Sequence, residues 1–204
     1  TFFNFVDFWQ HLSRKYPYML HSRNVAIFGS TGSIGSSTLA VIEALPNLTV
    51  HAISGHSNLR ALADAAKKFH PKHIVATDAN APTGDFDFGE GQVHLGPDAF
   101  QTIASDSTVD VVVAAIVGCA GLPSTWAAIN AGKTVALANK EALVVAGSLL
   151  MPLAQKSGAM VLPVDSEHSA IFQAARGGAR REIRRVILTA SGGSLRDYST
   201  EEMR

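Results

Sequence analysis

Residues 25–35 read VAIFGSTGSIG, and this stretch decides the fold. Four apolar residues come first, and Gly29, Gly32 and Gly35 follow at regular spacing. Apolar residues then recur at helical intervals until Pro46. A short apolar run that ends at a glycine is typical of a buried strand, and a proline ends a helix. The stretch therefore predicts a strand, a glycine-rich turn and a helix.

The glycine-rich turn indicates a nucleotide site. Glycine lets the backbone come close to a phosphate, and the free N–H groups at the start of a helix face a pyrophosphate. The spacing is G-x-x-G-x-x-G rather than the more common G-x-G-x-x-G. Many glycine-rich turns are only structural, but the strand–turn–helix context favours a bound dinucleotide.

Strand and helix patterns alternate along the rest of the chain. Further strands are predicted at residues 48–54, 73–77, 109–116, 134–138, 160–164 and 186–189. Further helices are predicted at residues 59–69, 122–130, 140–156 and 167–176. Residues 79–96 hold five glycines and prolines and are typical of a long loop or hairpin. Repeated βα units predict an α/β fold with a Rossmann-like, doubly wound parallel sheet.

The composition excludes several classes of partner. The 204 residues hold 17 Lys+Arg and 17 Asp+Glu, so no net positive charge favours nucleic acid. No stretch reaches 18 consecutive apolar residues, so we expect no membrane partner. The single cysteine, Cys119, excludes an intramolecular disulfide and a cysteine metal cage. It fits a reducing compartment, and we expect a cytoplasmic location.

Residues 1–22 differ from the rest of the chain. The first 20 residues hold seven of the 15 aromatic residues, without the basic start or the cleavage site of a signal peptide. We interpret residues 1–22 as an atypical, aromatic-rich extension, with Met19 near the natural start of the protein. The alternative is an aromatic segment that binds a partner.

The end of the second predicted strand indicates which dinucleotide binds. NAD sites place an acidic residue there to bind the ribose 2′-hydroxyl, yet none occurs between Glu43 and Asp64. Ser57 and Asn58, together with His56, could instead accept a 2′-phosphate. This pattern favours NADPH over NADH. The alternative is that Ser57 and Asn58 only cap the next helix.

Two carboxylates follow the strand predicted at residues 160–164. In an extended segment Asp165 and Glu167 lie on one face, because side chains alternate along a strand. Such a pair suits a hard divalent cation, Mg²⁺ or Mn²⁺. The alternative is that Asp165 or Ser166 only caps the following helix.

Two other strand ends carry polar residues. Lys140 follows the strand predicted at residues 134–138 and could supply a positive charge to a substrate. Ser191 and the two glycines after it follow the last predicted strand. Such a segment can form a phosphate-binding nest.

Several motifs occur in order along the chain. They are GSTGSIG at residues 29–35, AAIVG at 114–118, ANKE at 138–141, PVDSEH at 163–168, AIFQ at 170–173 and SGG at 191–193. From about residue 24 to residue 197 the chain thereby resembles the 1-deoxy-D-xylulose 5-phosphate reductoisomerases. Each motif is modest evidence, but the ordered set is highly specific.

The resemblance implies an enzyme of non-mevalonate isoprenoid synthesis. It would convert 1-deoxy-D-xylulose 5-phosphate to 2-C-methyl-D-erythritol 4-phosphate by a rearrangement and a reduction. NADPH would deliver the hydride, and Mn²⁺ or Mg²⁺ would polarise the ketone of the phosphosugar substrate. The full-length enzyme would be a homodimer.

The resemblance also implies a role for each motif residue. The implied cofactor contacts are Thr31, Gly32, Ser33, Ile34, His56, Ser57, Asn58, Asn139 and Glu141. The implied substrate contacts are Lys140, Ser166, Glu167 and Ser191, of which Lys140 and Glu167 are the expected catalytic residues. The implied metal ligands are Asp165 and Glu167.

The family continues beyond the last residue of this sequence, where it supplies a third metal carboxylate, further phosphate ligands, a catalytic histidine and a closing loop. We therefore expect an NADPH-binding Rossmann domain at residues 23–164 and the start of a second, catalytic α/β domain at 165–204. We also expect this incomplete chain to bind NADPH but to turn over little substrate. The alternatives are another NADP-binding oxidoreductase, with no need for a metal at Asp165 and Glu167, and a non-catalytic nucleotide-binding module.

Overall fold

The structure is a computed structural model that describes residues 22–187, 197–199 and 201–202. The described residues fall into two compact units, which are divided between Leu162 and Pro163. The predicted extension, apart from its last residue, lies outside the described residues. In the described part of the chain, no helix combines the length and the apolar character that crossing a bilayer requires.

Seven strands of the described residues form one parallel sheet. They are β1 (Arg23–Phe28), β2 (Leu48–Gly55), β3 (His73–Ala76), β4 (Gln92–Leu95), β5 (Val111–Ala114), β6 (Thr134–Leu137) and β7 (Met160–Pro163). Their order across the sheet is β4-β3-β2-β1-β5-β6-β7. The strand order therefore reverses between β1 and β5, and open α/β sheets bind ligands at the carboxyl side of such a point.

Helices alternate with the strands. Across the described residues they are α1 (Ser33–Ala44), α2 (Leu59–Phe69), α3 (Ala99–Ser105), α4 (Leu122–Asn130), α5 (Lys140–Ser157) and α6 (Ser166–Ala175). The side chains of β1 alternate between two cores. Ala26 and Phe28 pack with α3, α4 and α5, whereas Val25 and Ile27 pack with α1 and α2. Both faces of the sheet are thus covered, which confirms the predicted doubly wound α/β fold.

One irregularity interrupts the pairing of β1 with β2. Val25 pairs with Val50 and Ala26 pairs with Ala52, so His51 is an extra residue in β2. Such a bulge redirects a side chain and disturbs the alternation of a strand. Val50 and Ala52 accordingly lie in the cores on opposite faces of the sheet, although they are two residues apart.

The structure corrects the sequence patterns in three places. Residues 79–96 do not form only a loop or hairpin, because β4 adds a parallel strand at the edge of the sheet. Three of the four side chains of β4 are exposed, so its sequence lacks the alternation of a half-buried strand. The patterns also miss α3, whose seven residues are too few to show a helical period. The strand predicted at residues 186–189 is wrong at Val186 and Ile187, where the backbone is irregular and both side chains are exposed; residues 188 and 189 lie outside the described part.

Candidate functional site

The turn between β1 and α1 has a tightly held backbone. Gly29 has a φ of +95°, and a β-carbon there would lie 2.6 Å from the carbonyl oxygen of Ala115. The N–H of Gly29 donates to Oγ of Ser54 at 2.8 Å, and the N–H of Ser30 donates to the carbonyl oxygen of Ser54 at 2.7 Å. Residues that end β2 and follow β5 therefore hold the turn, and only glycine fits at position 29.

Gly32 differs from Gly29, because the protein itself does not require glycine there. Its φ is −82°, and a β-carbon would meet only the carbonyl oxygen of Gly29, at 3.6 Å. No side chain of the described residues caps the start of α1, and its first turn holds no acidic residue. Gly32, Ser33 and Ile34 are exposed, and Thr31 is half-buried. The start of α1 thus suits an anion, because Gly32 adds no side chain there and a helix begins with backbone N–H groups.

The end of β2 lies beside this turn. A β-carbon on Gly55 would come 3.0 Å from Cγ2 of Thr31. The three residues that follow are exposed: His56, Ser57 and Asn58. Oδ1 of Asn58 accepts a hydrogen bond from the N–H of Ala61 at 3.1 Å, so Asn58 caps α2 as the alternative interpretation expected. The cap uses only the oxygen of the amide, and within residues 22–187 the NH₂ group has no hydrogen-bond partner.

His56 is oriented by a residue that the motifs do not include. Nδ1 of His56 lies 3.0 Å from Oγ1 of Thr77, which follows β3. The same hydroxyl donates to the carbonyl oxygen of Gly55 at 3.3 Å. The imidazole is therefore held between the ends of β2 and β3. A polar residue at the end of a parallel strand was the available signal for Thr77, as it was for the predicted residues.

Asn139 is a buried capping residue. It is 3% exposed, its Oδ1 accepts from the N–H of Ala142 at 3.1 Å, and its Nδ2 donates to the carbonyl oxygen of Gly118 at 2.8 Å. The side chain therefore fixes the start of α5 against the loop that follows β5. The next two residues differ in exposure, since Lys140 is exposed and Glu141 is half-buried.

The predicted cofactor residues all come after the carboxyl ends of strands, at one edge of the sheet in the first unit. This edge, the carboxyl edge, comprises the segments after β2, β1 and β6. The predicted cofactor residues on it are Thr31, Gly32, Ser33, Ile34, His56, Ser57, Asn58, Asn139 and Glu141. Such an edge suits an extended ligand that carries phosphate groups.

Asp165 and Glu167 belong to the second unit. Oδ1 of Asp165 accepts from the N–H of His168 at 3.0 Å and lies 2.7 Å from Nδ1 of the same residue. The expectation of an extended segment is wrong, because Asp165 is the N-cap of α6 and Ser166 is already helical. Within the described residues, neither carboxylate belongs to a close group of three metal-ligating side chains. Ser191 and its predicted nest lie outside the described residues.

Comparison with known families bears directly on this site. The sequence model of 1-deoxy-D-xylulose 5-phosphate reductoisomerase matches residues 25–147, and the model of the C-terminal domain of that enzyme matches residues 161–204. The chain belongs to the 1-deoxy-D-xylulose 5-phosphate reductoisomerase family. The two matches cover the glycine-rich turn and the two carboxylates, and they confirm the resemblance seen in the ordered motifs.

Individual reductoisomerases match the chain over part of their length. The reductoisomerase of Oleidesulfovibrio alaskensis is 45% identical over 183 aligned residues, and the match covers 85% of this chain and 44% of the relative. The Zymomonas mobilis enzyme, solved in complex with NADPH, is 44% identical with a TM-score of 0.77, over 90% of this chain and 49% of that structure. A reductoisomerase solved with NADPH, fosmidomycin and magnesium is 46% identical with a TM-score of 0.68, over 74% of this chain and 38% of that structure. The chain spans about half the length of the curated relatives it matches.

Proposed function

We propose that this chain forms the NADPH-binding part of a 1-deoxy-D-xylulose 5-phosphate reductoisomerase and contributes two carboxylates to its metal site. The reaction converts 1-deoxy-D-xylulose 5-phosphate to 2-C-methyl-D-erythritol 4-phosphate. One observation carries the proposal: a chain of this family bears its cofactor motifs along a single edge of a parallel sheet.

NADPH fits the carboxyl edge in charge and in shape. Its pyrophosphate would lie against the start of α1, where Thr31, Gly32, Ser33 and Ile34 present backbone groups and no acidic side chain occurs in the first turn. When bound, NADPH supplies a hydride. The residues of the turn bind and orient it, because Gly29 and Ser54 hold the turn in a single conformation.

The segment after β2 favours a 2′-phosphate over a free 2′-hydroxyl. Ser57 offers a hydroxyl group and Asn58 an amide NH₂, and both side chains are exposed. The nearest acidic residues in the sequence are Glu43 and Asp64, and Asp64 lies inside α2. A carboxylate beside the phosphate would repel it, so its absence from this tip removes a barrier to NADPH. His56, held by Thr77, adds a third polar group.

The start of α5 supplies the charge that a phosphosugar needs. Asn139 fixes the first turn of α5, from which Glu141 would contact the cofactor and Lys140 the substrate. Among the described residues, no carboxylate forms an ion pair with Lys140. Its charge is therefore available to an anionic substrate, and we assign Lys140 to substrate binding and catalysis.

The second unit supplies metal ligands of the correct chemistry. Asp165 and Glu167 offer carboxylate oxygens, which Mg²⁺ and Mn²⁺ prefer. His168 holds one oxygen of Asp165 and thereby orients the carboxylate. A bound metal would polarise the substrate ketone as a Lewis acid. Glu167 and Ser166, in the first turn of α6, would contact the substrate beside it, and Ser191 would contact the substrate phosphate.

Cofactor preference tests the first half of the proposal. Asn58→Asp keeps the cap of α2, because Asp and Asn cap helices equally well, but it adds a negative charge beside the 2′-phosphate. We expect NADPH to bind wild type more tightly than NADH, and the variant to weaken NADPH binding about tenfold, which is about 1.4 kcal/mol, with NADH almost unaffected. Fluorescence titration of NADPH and NADH measures both.

A matched variant tests whether the position of the added charge, rather than the net charge of the protein, changes the cofactor affinities. Gln101 is an exposed residue of α3, and Gln101→Glu adds the same charge away from the tip of β2. This control should leave both affinities unchanged. Tighter binding of NADH than NADPH by wild type, or equal weakening of both cofactors by Asn58→Asp, would contradict the assignment.

Metal binding and turnover test the second half. The double variant Asp165→Asn, Glu167→Gln should weaken Mn²⁺ binding at least about tenfold, because it removes both anionic ligands; Asp64→Asn is the matched control. The 204-residue chain, given 1-deoxy-D-xylulose 5-phosphate, Mn²⁺ and NADPH, should oxidise little NADPH. If the chain bound NADPH but the double variant bound Mn²⁺ as tightly as wild type, the result would favour another NADP-binding oxidoreductase or a non-catalytic module.

The homodimer and the cytoplasmic location stay predictions.

A further inference from the structure

A second polar cluster lies in the first unit, away from the carboxyl edge. His51, His73 and Asp106 each offer one potential ligand atom, and these three atoms lie within 4.8 Å of one another. His73 is the first residue of β3, and Asp106 directly follows α3. The cluster therefore lies at the amino end of β3, and neither the family motifs nor the proposed reaction uses it. We call it the histidine cluster.

His51 has a weakly paired polar atom. The residue is 7% exposed, and the nearest partner of its buried Nε2 among the described residues is Oδ2 of Asp106, at a long 3.4 Å. Leaving a buried polar atom without a hydrogen bond is costly. His51 is also the extra residue of the β-bulge in β2. A buried nitrogen with only one long contact is a position where a ligand would supply a better interaction.

Asp106 presents one oxygen in a fixed direction. Its Oδ1 accepts hydrogen bonds from the N–H of Thr108 at 2.8 Å and from the hydroxyl of Thr108 at 2.7 Å. These bonds hold the pKa of the Asp106 carboxyl far below its usual range. Oδ2 therefore carries negative charge toward His51, and its other close partner is Nζ of Lys72 at 3.4 Å.

His73 is oriented by a third histidine. Its Nδ1 lies 3.0 Å from Nε2 of His94 in β4. A metal-bound histidine commonly has one ring nitrogen fixed by a neighbour while the other holds the metal. Burial lowers the pKa of His51 and of His73. Asp106 raises the pKa of both, but the net change is a lowering, which favours the neutral imidazole that binds metals.

We propose that His51, His73 and Asp106 form a binding site for a divalent transition-metal ion of the zinc type. Two imidazole nitrogens and one carboxylate oxygen are the donors that Zn²⁺ binds, with a fourth position left for water. Mg²⁺ and Ca²⁺ would select oxygen ligands instead. Ligand atoms around tetrahedral zinc are about 3.4 Å apart, so small side-chain rotations from the present separations complete the site.

Lys72 is the competitor of the metal. Its side chain is 61% exposed and can turn to solvent when a cation replaces it at Oδ2 of Asp106. Lys133 stays in place, because its Nζ donates to the carbonyl oxygens of Asp106 at 2.7 Å and Val109 at 2.8 Å. Binding of Zn²⁺ would therefore replace the ammonium group of Lys72 at Asp106 by a coordinated metal ion.

Zinc titration tests the proposal. The metal-free 204-residue chain is titrated with Zn²⁺ against a chromophoric chelator, in a background of Asp165→Asn and Glu167→Gln that silences the proposed magnesium carboxylates. We expect one Zn²⁺ per chain, and at least a tenfold loss of affinity in His73→Gln and in Asp106→Asn. The control is His70→Asn, an exposed residue in the left-handed conformation that Asn tolerates. Co²⁺ should give the visible absorption of a tetrahedral site, which the same two variants abolish.

A gain-of-affinity variant keeps the test decisive if a cluster variant fails to fold. Lys72→Gln removes the competing cation, and we expect it to bind Zn²⁺ at least threefold more tightly than its parent. Circular dichroism monitors the fold of every variant. The absence of stoichiometric Zn²⁺ binding would overturn the proposal. So would binding that none of the variants at His73, Asp106 and Lys72 alters.

Discussion

The carboxyl edge and the histidine cluster lie at opposite ends of parallel strands, and they use polar groups in different ways. At the carboxyl edge no side chain from the described part of the protein caps the start of α1, and Gly32 and Ser33 are exposed. In the histidine cluster, imidazoles and a carboxylate are packed against each other. The cause is the direction of the helices. Helices begin at the carboxyl ends of the strands, and the first N–H groups of a helix, which have no partner within the helix, favour an anion.

The opposite end of the sheet receives the ends of helices. The last carbonyl groups of a helix need hydrogen-bond donors. After α3, Nζ of Lys133 donates such a bond to the carbonyl oxygen of Asp106. Side chains rather than backbone N–H groups therefore determine what can bind there. One parallel sheet thus has backbone N–H groups at one end, which suit an anion, and polar side chains at the other, which suit a cation.

The largest effect that tests this comparison is expected at Gly29. A side chain at a φ of +95° is strained, and the β-carbon of Gly29→Ala would lie 2.6 Å from the Ala115 carbonyl oxygen. We expect the free energy of unfolding to fall by about 3 kcal/mol, from the backbone strain and the overlap together. Urea denaturation followed by circular dichroism measures it. Wild-type stability in this variant would show that the turn is not rigid.

A smaller effect is expected at Gly32, and it concerns the ligand rather than the fold. The β-carbon of Gly32→Ala would meet only the Gly29 carbonyl oxygen, at 3.6 Å, so the urea midpoint should not change. NADPH should bind about tenfold more weakly, by about 1.4 kcal/mol, because the methyl group keeps the phosphate from the backbone. The two variants form a matched pair. If Gly32→Ala lost stability as Gly29→Ala does, the carboxyl edge would be structural rather than a binding surface.

The smallest expected effect is a pH dependence of stability in the histidine cluster without metal. The folded-state pKa values of His51 and His73 are lowered, mainly by burial, so the unfolded chain binds more protons. This stability is fully present above the unfolded pKa of about 6.5 and is lost as the pH falls below it. The slope is at most about 1.4 kcal/mol per pH unit for each histidine. The charged or titratable neighbours are His94, Asp106, Lys72 and Lys133.

Unfolding midpoints between neutral and mildly acidic pH, in the presence of a chelator, measure this slope. His73→Gln should flatten it, and the exposed variant His70→Asn should not. An equal slope in wild type and His73→Gln would show that the cluster does not couple to folding.

Most of the sheet could be predicted from the sequence, because each central strand is a short apolar run bounded by turn residues. β5 is an example, since its four residues are all Val or Ala. The edge strand β4 could not be predicted in this way. Its side chains are mostly exposed, so its position depends on backbone pairing with β3 rather than on a pattern of apolar residues.

The sequence predicts the local structure of some segments of the candidate site better than that of others. The turn at Gly29 and the cap at Asn58 follow from local rules of helix starts, and both are found in the structure. Asp165 and Glu167 do not share an extended segment, because Asp165 caps α6, as the alternative interpretation expected, and the helix begins at Ser166, one residue earlier than predicted. Whether residues 165–167 extend β7 or begin a helix depends on hydrogen bonds such as the one from the N–H of His168 to Asp165. The spacing of residues in the sequence does not reveal these bonds.

The sequence by itself determined the family, the strand–turn–helix unit and the edge on which the cofactor residues lie, because these depend on neighbours along the chain. Only the tertiary structure decided that Asn139 is buried as a cap and that His51, His73 and Asp106 meet. The physical reason is distance along the chain. A bulge in β2, the first residue of β3 and the residue after α3 come together only when the sheet and its helices have packed.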